Sequence, residues 1–278
     1  MGDYVKALIE TQVIGAFRVA LTMPLEHVLD RIKTYKQSKQ GITYIQSYID
    51  IKGARGMIGL YDGFSPSFLR NMVKQYYRWP MMIFIPQILN EHIHNQSINK
   101  IITGASIGLF ESCIITPFER LKTLKMTSMS TGFGYFKYIT FESIYVGFRI
   151  QTTRQVVSWT NYLYWDHKVR YALKADPGQP LSLVNSLIAS SLSSILNILA
   201  VHPFDTIKTL VQMEGNQNFK NISLLQGFKT VYQNYGISGL YAGWQARIIA
   251  YFCQALLTTP TIDYLERNYG ISKNQKKQ

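Results

Sequence analysis

The chain has 278 residues, 47% of them apolar, and 29 Lys and Arg against 16 Asp and Glu give a net charge of +13. That surplus calls for an anionic partner, whether nucleic acid, an anionic membrane or a small anion. The charged fraction of 16% lies well below the roughly 25% of soluble globular domains. Cys113 and Cys253, in apolar surroundings and without ligand-like spacing, imply no disulfide or zinc framework and read as buried thiols.

The opening "MGDYVKALIETQ" lacks the basic start, apolar middle and small-residue cleavage site of a secretory leader. No 18 consecutive apolar residues occur, so the single-span criterion fails. Three windows are nonetheless mostly apolar with scattered polar groups: Ile101–Pro117, Leu181–Pro203 and Ile248–Leu265. Helices of this kind suit either a membrane bundle around a wet cavity or the core of a soluble helical protein.

An internal repeat organises the chain. "MPLEHVLDRIK" carries Pro24 and Glu26, "TPFERLKTLKM" carries Pro117, Glu119 and Lys122, and "HPFDTIKTLVQ" carries Pro203, Asp205 and Lys208. A second motif follows each: "LYDGFSPSFLR" around Gly63, "IYVGFRIQTTR" around Gly147 and "LYAGWQARIIA" around Gly243. The prolines stand 93 and 86 residues apart, and the proline-to-glycine offsets are 39, 30 and 40. The chain therefore reads as three units, residues 5–98, 99–178 and 179–268, with a basic tail over 269–278. The middle unit lacks about nine residues of its connecting segment.

Nine residues before each proline stand Gly15, Gly108 and Ser194; thirteen before stand Thr11, Gly104 and Ser190. Small residues four apart allow close helix approach in membrane bundles. Six before each proline stand Arg18, Glu111 and Asn197, polar groups at matched depth that face a shared interior.

Three Pro-x-[Asp/Glu]-x-x-[Lys/Arg]-type runs, each with its glycine motif, resemble the mitochondrial carrier family over roughly residues 5–268. The resemblance implies an all-α membrane protein: six transmembrane helices in three pseudosymmetric repeats, with a short matrix-side helix in each. It implies kinks at Pro24, Pro117 and Pro203, where a helical hydrogen bond is lost, and alternating access to a central site. It also implies a matrix gate in which the acid of one unit meets the base of the next, here Glu26 with Lys122 and Glu119 with Lys208. The base that should serve Asp205 is replaced by Leu29, and Arg31 or Lys33 would substitute only by reaching around the helix. Of the glutamines that brace such pairs, Gln212 remains, while Lys33 and Met126 hold the equivalent places. A weakened gate is expected. On the opposite side the family's acid positions hold Ile83, His167 and Asp263, and its base positions Pro86, Arg170 and Glu266. Little salt-bridge network is expected there.

Seven residues past each glycine lie Arg70, Arg154 and Ala250. Four-residue steps from Arg70 add Lys74 and Arg78 as a basic stripe, and Arg247 stands near the same face as Ala250. The family resemblance makes Arg154–Gln155 a substrate contact of the kind found in carriers of di- and tricarboxylates and keto acids. Arg70, Lys74, Arg78, Arg154, Gln155, Arg247 and Arg18 are the expected substrate-binding residues. The implied function is antiport of a small anionic metabolite by a monomer in the mitochondrial inner membrane, a host's mitochondria being one option. Membrane lipid, cardiolipin included, is a further expected partner. A nucleotide carrier of the ATP/ADP type with the same fold is the alternative, and a soluble helical-repeat binding protein the remote one. His92 and His94, two apart, lack a ligand spacing, so no metal, cofactor, nucleic-acid partner or enzymatic site is expected.

Overall fold

The structure is a computed structural model, described for residues 2–93, 95–127, 141–173, 183–213 and 222–253. Among these residues every regular element is helical. Five long helices dominate: α1 (Gly2–Ser38), α3 (Phe64–Asn90), α4 (Gln96–Thr127), α6 (Phe148–Leu173) and α7 (Leu183–Gln212). Shorter pieces are α2 (Tyr44–Arg55), α5 (Phe141–Ile144) and α8 (Leu224–Leu240), and residues 244–253 are helical. Among the described residues, only α4 and the Leu187–Gln212 part of α7 contain an apolar window long enough to cross a membrane by hydropathy.

The other long helices owe their lower hydropathy to polar inward faces. On α1, Val13, Phe17, Leu21 and Leu25 are exposed at four-residue steps, while Arg31, Lys33 and Gln37 are buried. Leu69, Tyr76 and Phe84 on α3 and Ile188, Leu192 and Leu199 on α7 likewise face outward. Apolar groups outside and charges inside invert the pattern of a soluble protein and suit a bundle whose solvent is lipid. Cys113 follows this inversion: it is exposed on α4, not buried as its apolar neighbours suggested.

Each proline lies inside a continuous helix, Pro24 in α1, Pro117 in α4 and Pro203 in α7. A proline donates no N–H, so the carbonyl four residues earlier loses its partner. Two of these orphaned carbonyls are capped from the second motif of the same unit. The Tyr145 hydroxyl donates to Cys113 O at 3.3 Å, and the Tyr241 hydroxyl donates to Leu199 O at 3.0 Å. In the first unit Tyr61 instead stacks on His27, with ring centroids 6.2 Å apart.

The three motif glycines share a left-handed backbone, with φ of 80° at Gly63, 78° at Gly147 and 90° at Gly243. All three turn against the end of a helix from another unit. Gly63 meets Met126, Gly147 meets Gln212 and Gly243 meets Lys33, each nine residues past its proline. The short helices α2 and α8 start on matched caps, Thr43 and Ser223, each twenty residues before its glycine. Gly56 and Gly236, each seven before, share φ near 65° and ψ of −161°. The middle unit has the four-residue α5 in this region, and residues 128–140 lie outside the described set.

Small residues allow a close contact between α4 and α6. A Cβ on Gly108 would stand 2.7 Å from Val156 Cα, and one on Gly104 equally close to Thr160 Cα, so α4 and α6 meet backbone to backbone. His92 lies in the turn after α3, and His94 is outside the described residues.

Candidate functional site

The long helices enclose a cavity of about 730 Å³ lined on every side by charged groups. Three junctions tie α1, α4 and α7 together toward their C-terminal ends. Glu119 on α4 receives Lys208 from α7, and also Arg70 from α3. Lys122 on α4 pairs with Asp30 on α1. Lys33 on α1 pairs with Asp205 on α7 at 3.2 Å, and Asp205 also receives Arg154 and Arg247.

Two features depart from the pairing read from the motifs. Lys33 reaches Asp205 without passing around its helix, because it stands four residues after Leu29 and so occupies the same helical face. Lys122 meets Asp30, which likewise stands four residues after Glu26. Asp30 and Lys33 keep the three-residue acid–base spacing of the other two units. The first unit thus uses the same pair displaced by one helical turn, and Leu29 leaves no gap. Glu26 lines the cavity above this level. Arg31 turns away instead: it donates to Gly59 O and lies 3.6 Å from Asp62. Gln212 is fully buried, but its side chain contacts Thr123 and Val146 O rather than the Glu119–Lys208 pair.

A second layer sits farther up the cavity around Glu111, whose side chain is wholly buried. Arg78 on α3 grips it with two bonds, Nε to Oε2 at 3.0 Å and Nη2 to Oε1 at 2.5 Å. Lys74 lies 3.3 Å from Oε1. From α6, Gln155 Nε2 donates at 2.6 Å and Trp159 Nε1 at 2.9 Å. The Arg78 guanidinium also lies 4.9 Å from the Trp159 ring centre. The close α4–α6 approach at Gly108 brings Gln155 and Trp159 within reach. Gln155 then links the layers, since its Oε1 accepts from Arg154 at 2.5 Å.

All six expected binding residues other than Arg18 therefore line one cavity: Arg70, Lys74, Arg78, Arg154, Gln155 and Arg247. The Arg18 side chain lies outside the described set. Among the described residues, eight bases and four acids line the cavity, and with the buried Glu111 behind its wall the excess is three positive charges. Desolvated cations in excess of their partners make an attractive site for a small anion. Motif reading missed the central part of Glu111, which it identified only as an inward polar group, and it missed Asp30 and Trp159; Lys33 it named as a substitute base, but only by reaching around the helix. The acid–base spacing repeated one turn after Glu26 was the available signal.

At the opposite end Arg170 bonds Asp166 at 2.8 Å within α6 and donates to Ser190 of α7 at 3.0 Å. The Ile83 side chain, Asp263 and Glu266 lie outside the described residues. Asn197, the third member of the inward polar trio, lies near Asn161 and Ser158.

An all-helical bundle with an apolar exterior, a charged central cavity and ion pairs closing one end defines a membrane transporter of small solutes. The chain belongs to the mitochondrial carrier protein family, whose pattern matches residues 3–92 and 179–273. Among similar proteins are the mitochondrial substrate carrier family protein Z of Dictyostelium discoideum, 28% identical over 80% of either chain. The mitochondrial 2-oxodicarboxylate carrier of Mus musculus is 23% identical over 81% of this chain and 83% of its own. The mitochondrial thiamine pyrophosphate carrier 1 of Candida albicans is 22% identical over 88% and 85%. Family membership makes the protein a multi-pass carrier of the mitochondrial inner membrane.

Proposed function

We propose that this carrier moves a di- or tricarboxylate, or a keto acid, across the mitochondrial inner membrane by alternating access. One observation carries the substrate class: donors that line the cavity, Arg78 with two bonds, Lys74, Gln155 and Trp159, already converge on a carboxylate, that of the wholly buried Glu111. Planar guanidinium-to-carboxylate pairing is the geometry a substrate carboxylate needs. The Arg154–Gln155 pair lies beside that layer, and Arg70 and Arg247 complete a cationic wall. The similarity to a 2-oxodicarboxylate carrier supports the same class.

In this reading the chain is three units, 5–98, 99–178 and 179–268, forming six transmembrane helices around the cavity. The matched glycine contacts at Gly63, Gly147 and Gly243 support the threefold arrangement. The junctions at Asp30, Glu119 and Asp205 are the matrix gate, closed here, and they must separate in each cycle. Since one chain supplies every wall of the cavity, a monomer suffices, and exchange of anions keeps the cavity charge balanced on both strokes. The exposed apolar faces are solvated by membrane lipid.

Uptake of labelled malate, 2-oxoglutarate, citrate, ADP and ATP into proteoliposomes tests the substrate class. Competition by the carboxylates is the expected result. Competition by ADP and ATP alone would replace the reading with a nucleotide carrier, which the three excess positive charges could also serve.

A further inference from the structure

We propose that Glu111 is a built-in counter-anion that, buried behind the cavity wall, engages donors lining the cavity and thereby limits how many negative charges the substrate carries. The proposal deepens the substrate reading above and rests on it.

Glu111 is unlike the acids of the three junctions. Those acids link α1, α4 and α7, one from each unit, at the closed end, whereas Glu111 projects from the middle of α4 into a set of donors supplied by α3 and α6. Its two oxygens accept five contacts: Oε1 from Arg78, Lys74 and Gln155, Oε2 from Arg78 and Trp159. Lys74, Arg78, Gln155 and Trp159 all line the cavity. A free carboxylate could hardly find a better receptor, yet the position is filled by a tethered one. Tethering gives Glu111 a high effective concentration at these donors, so an incoming anion gains little by competing for them. The cations left for substrate are the surplus around Glu119 and Asp205, namely Arg70, Arg154 and Arg247. Removing the Glu111 charge would release Lys74 and Arg78 and raise the cavity charge by one. Such a site would favour substrates carrying one more carboxylate.

The measurement is the ratio of citrate uptake to malate uptake in proteoliposomes, at a pH where these carry three and two charges. Glu111→Gln should raise that ratio on the order of tenfold, the scale of one close charge–charge contact in a desolvated site. Glu111→Asp, which keeps the charge, should hold the wild-type ratio even if the rate falls. Glu111→Gln combined with Arg78→Gln restores the charge count and should return the ratio toward wild type. Lys74→Gln, which leaves the carboxylate in place, should shift the ratio the other way, toward malate. A purely structural Glu111 would lower both uptakes together with no change in ratio, and that result would overturn the proposal. If Glu111→Gln does not reach the membrane, an unchanged ratio in Lys74→Gln overturns it equally. If the wild-type carrier takes up neither carboxylate, the carboxylate reading fails separately. The ADP-to-AMP ratio in the same variants then decides whether Glu111 sets substrate charge.

Discussion

Lys33 Nζ on α1 and Asp205 Oδ2 on α7, 172 residues apart in sequence, meet at 3.2 Å and close the ring that Leu29 seemed to break. Helix geometry permits the contact: residues four apart share a face, so a base at 33 points toward the same neighbouring helix as a base at 29.

The first prediction concerns this junction. Removing one partner of a buried pair typically costs about 3–5 kcal/mol. Asp205 keeps Arg154 and Arg247, so Lys33→Gln should cost less, about 1–2 kcal/mol. Thermal unfolding in detergent should show a Tm lower by several degrees, at about 2–4 °C per kcal/mol. Leu29→Lys should give no increase in Tm, because it would bring a fourth cation to an acid that already holds three. A rise of several degrees would mean that Lys33 does not serve as the first unit's base.

Arg154 joins the junction acid Asp205 to the Gln155–Glu111 layer. Loss of a buried charged contact to substrate typically costs about 2–5 kcal/mol, or roughly 30-fold to several-thousand-fold in affinity. Arg154→Gln should nearly abolish uptake while membrane insertion persists. Arg154→Lys should retain part of it, less for a two-bond carboxylate than for a phosphate. Normal transport by Arg154→Gln would remove Arg154 from the substrate site.

The tyrosine caps make a third expectation. Tyr145→Phe and Tyr241→Phe each delete a hydroxyl that satisfies a proline-freed carbonyl, a loss of about 1 kcal/mol apiece. Their Tm values should each fall by about 2–4 °C, and the pair should be close to additive because they serve different helices. Tyr61→Phe, whose ring stacks on His27, should change Tm less. Equal falls in all three would show that the hydroxyls matter for some other reason.

Gly243→Ala should be the most damaging of the three motif-glycine substitutions. Its φ of 90° costs an L-residue roughly 1–2 kcal/mol, and its new Cβ would stand 2.8 Å from Lys33 Cγ, disturbing the pair with Asp205. At Gly147 the nearest atom would be 3.2 Å away, on the flexible Gln212 side chain. Gly147→Ala should therefore lower Tm less than Gly243→Ala, and an equal or greater fall would argue against a role for the Lys33 contact.

The sequence by itself determined the repeat, its three prolines, its three glycines and the inward position of Glu111. These are properties of spacing along one chain, and helical periodicity turns spacing into a shared face. The basic stripe Arg70, Lys74 and Arg78 was legible for the same reason. Tertiary structure alone decided which base meets which acid. A motif position specifies a face of a helix but not the height at which a neighbouring helix presents its partner, and one turn of displacement leaves the face unchanged. Asp30 and Lys33 took over from Glu26 and Leu29 within that freedom. Gln155 and Trp159 likewise reach Glu111 because the α4–α6 approach at Gly108 brings α6 to its level, while Arg78 and Lys74 come to it from α3. Such contacts depend on the distance between helices, which no single helix encodes.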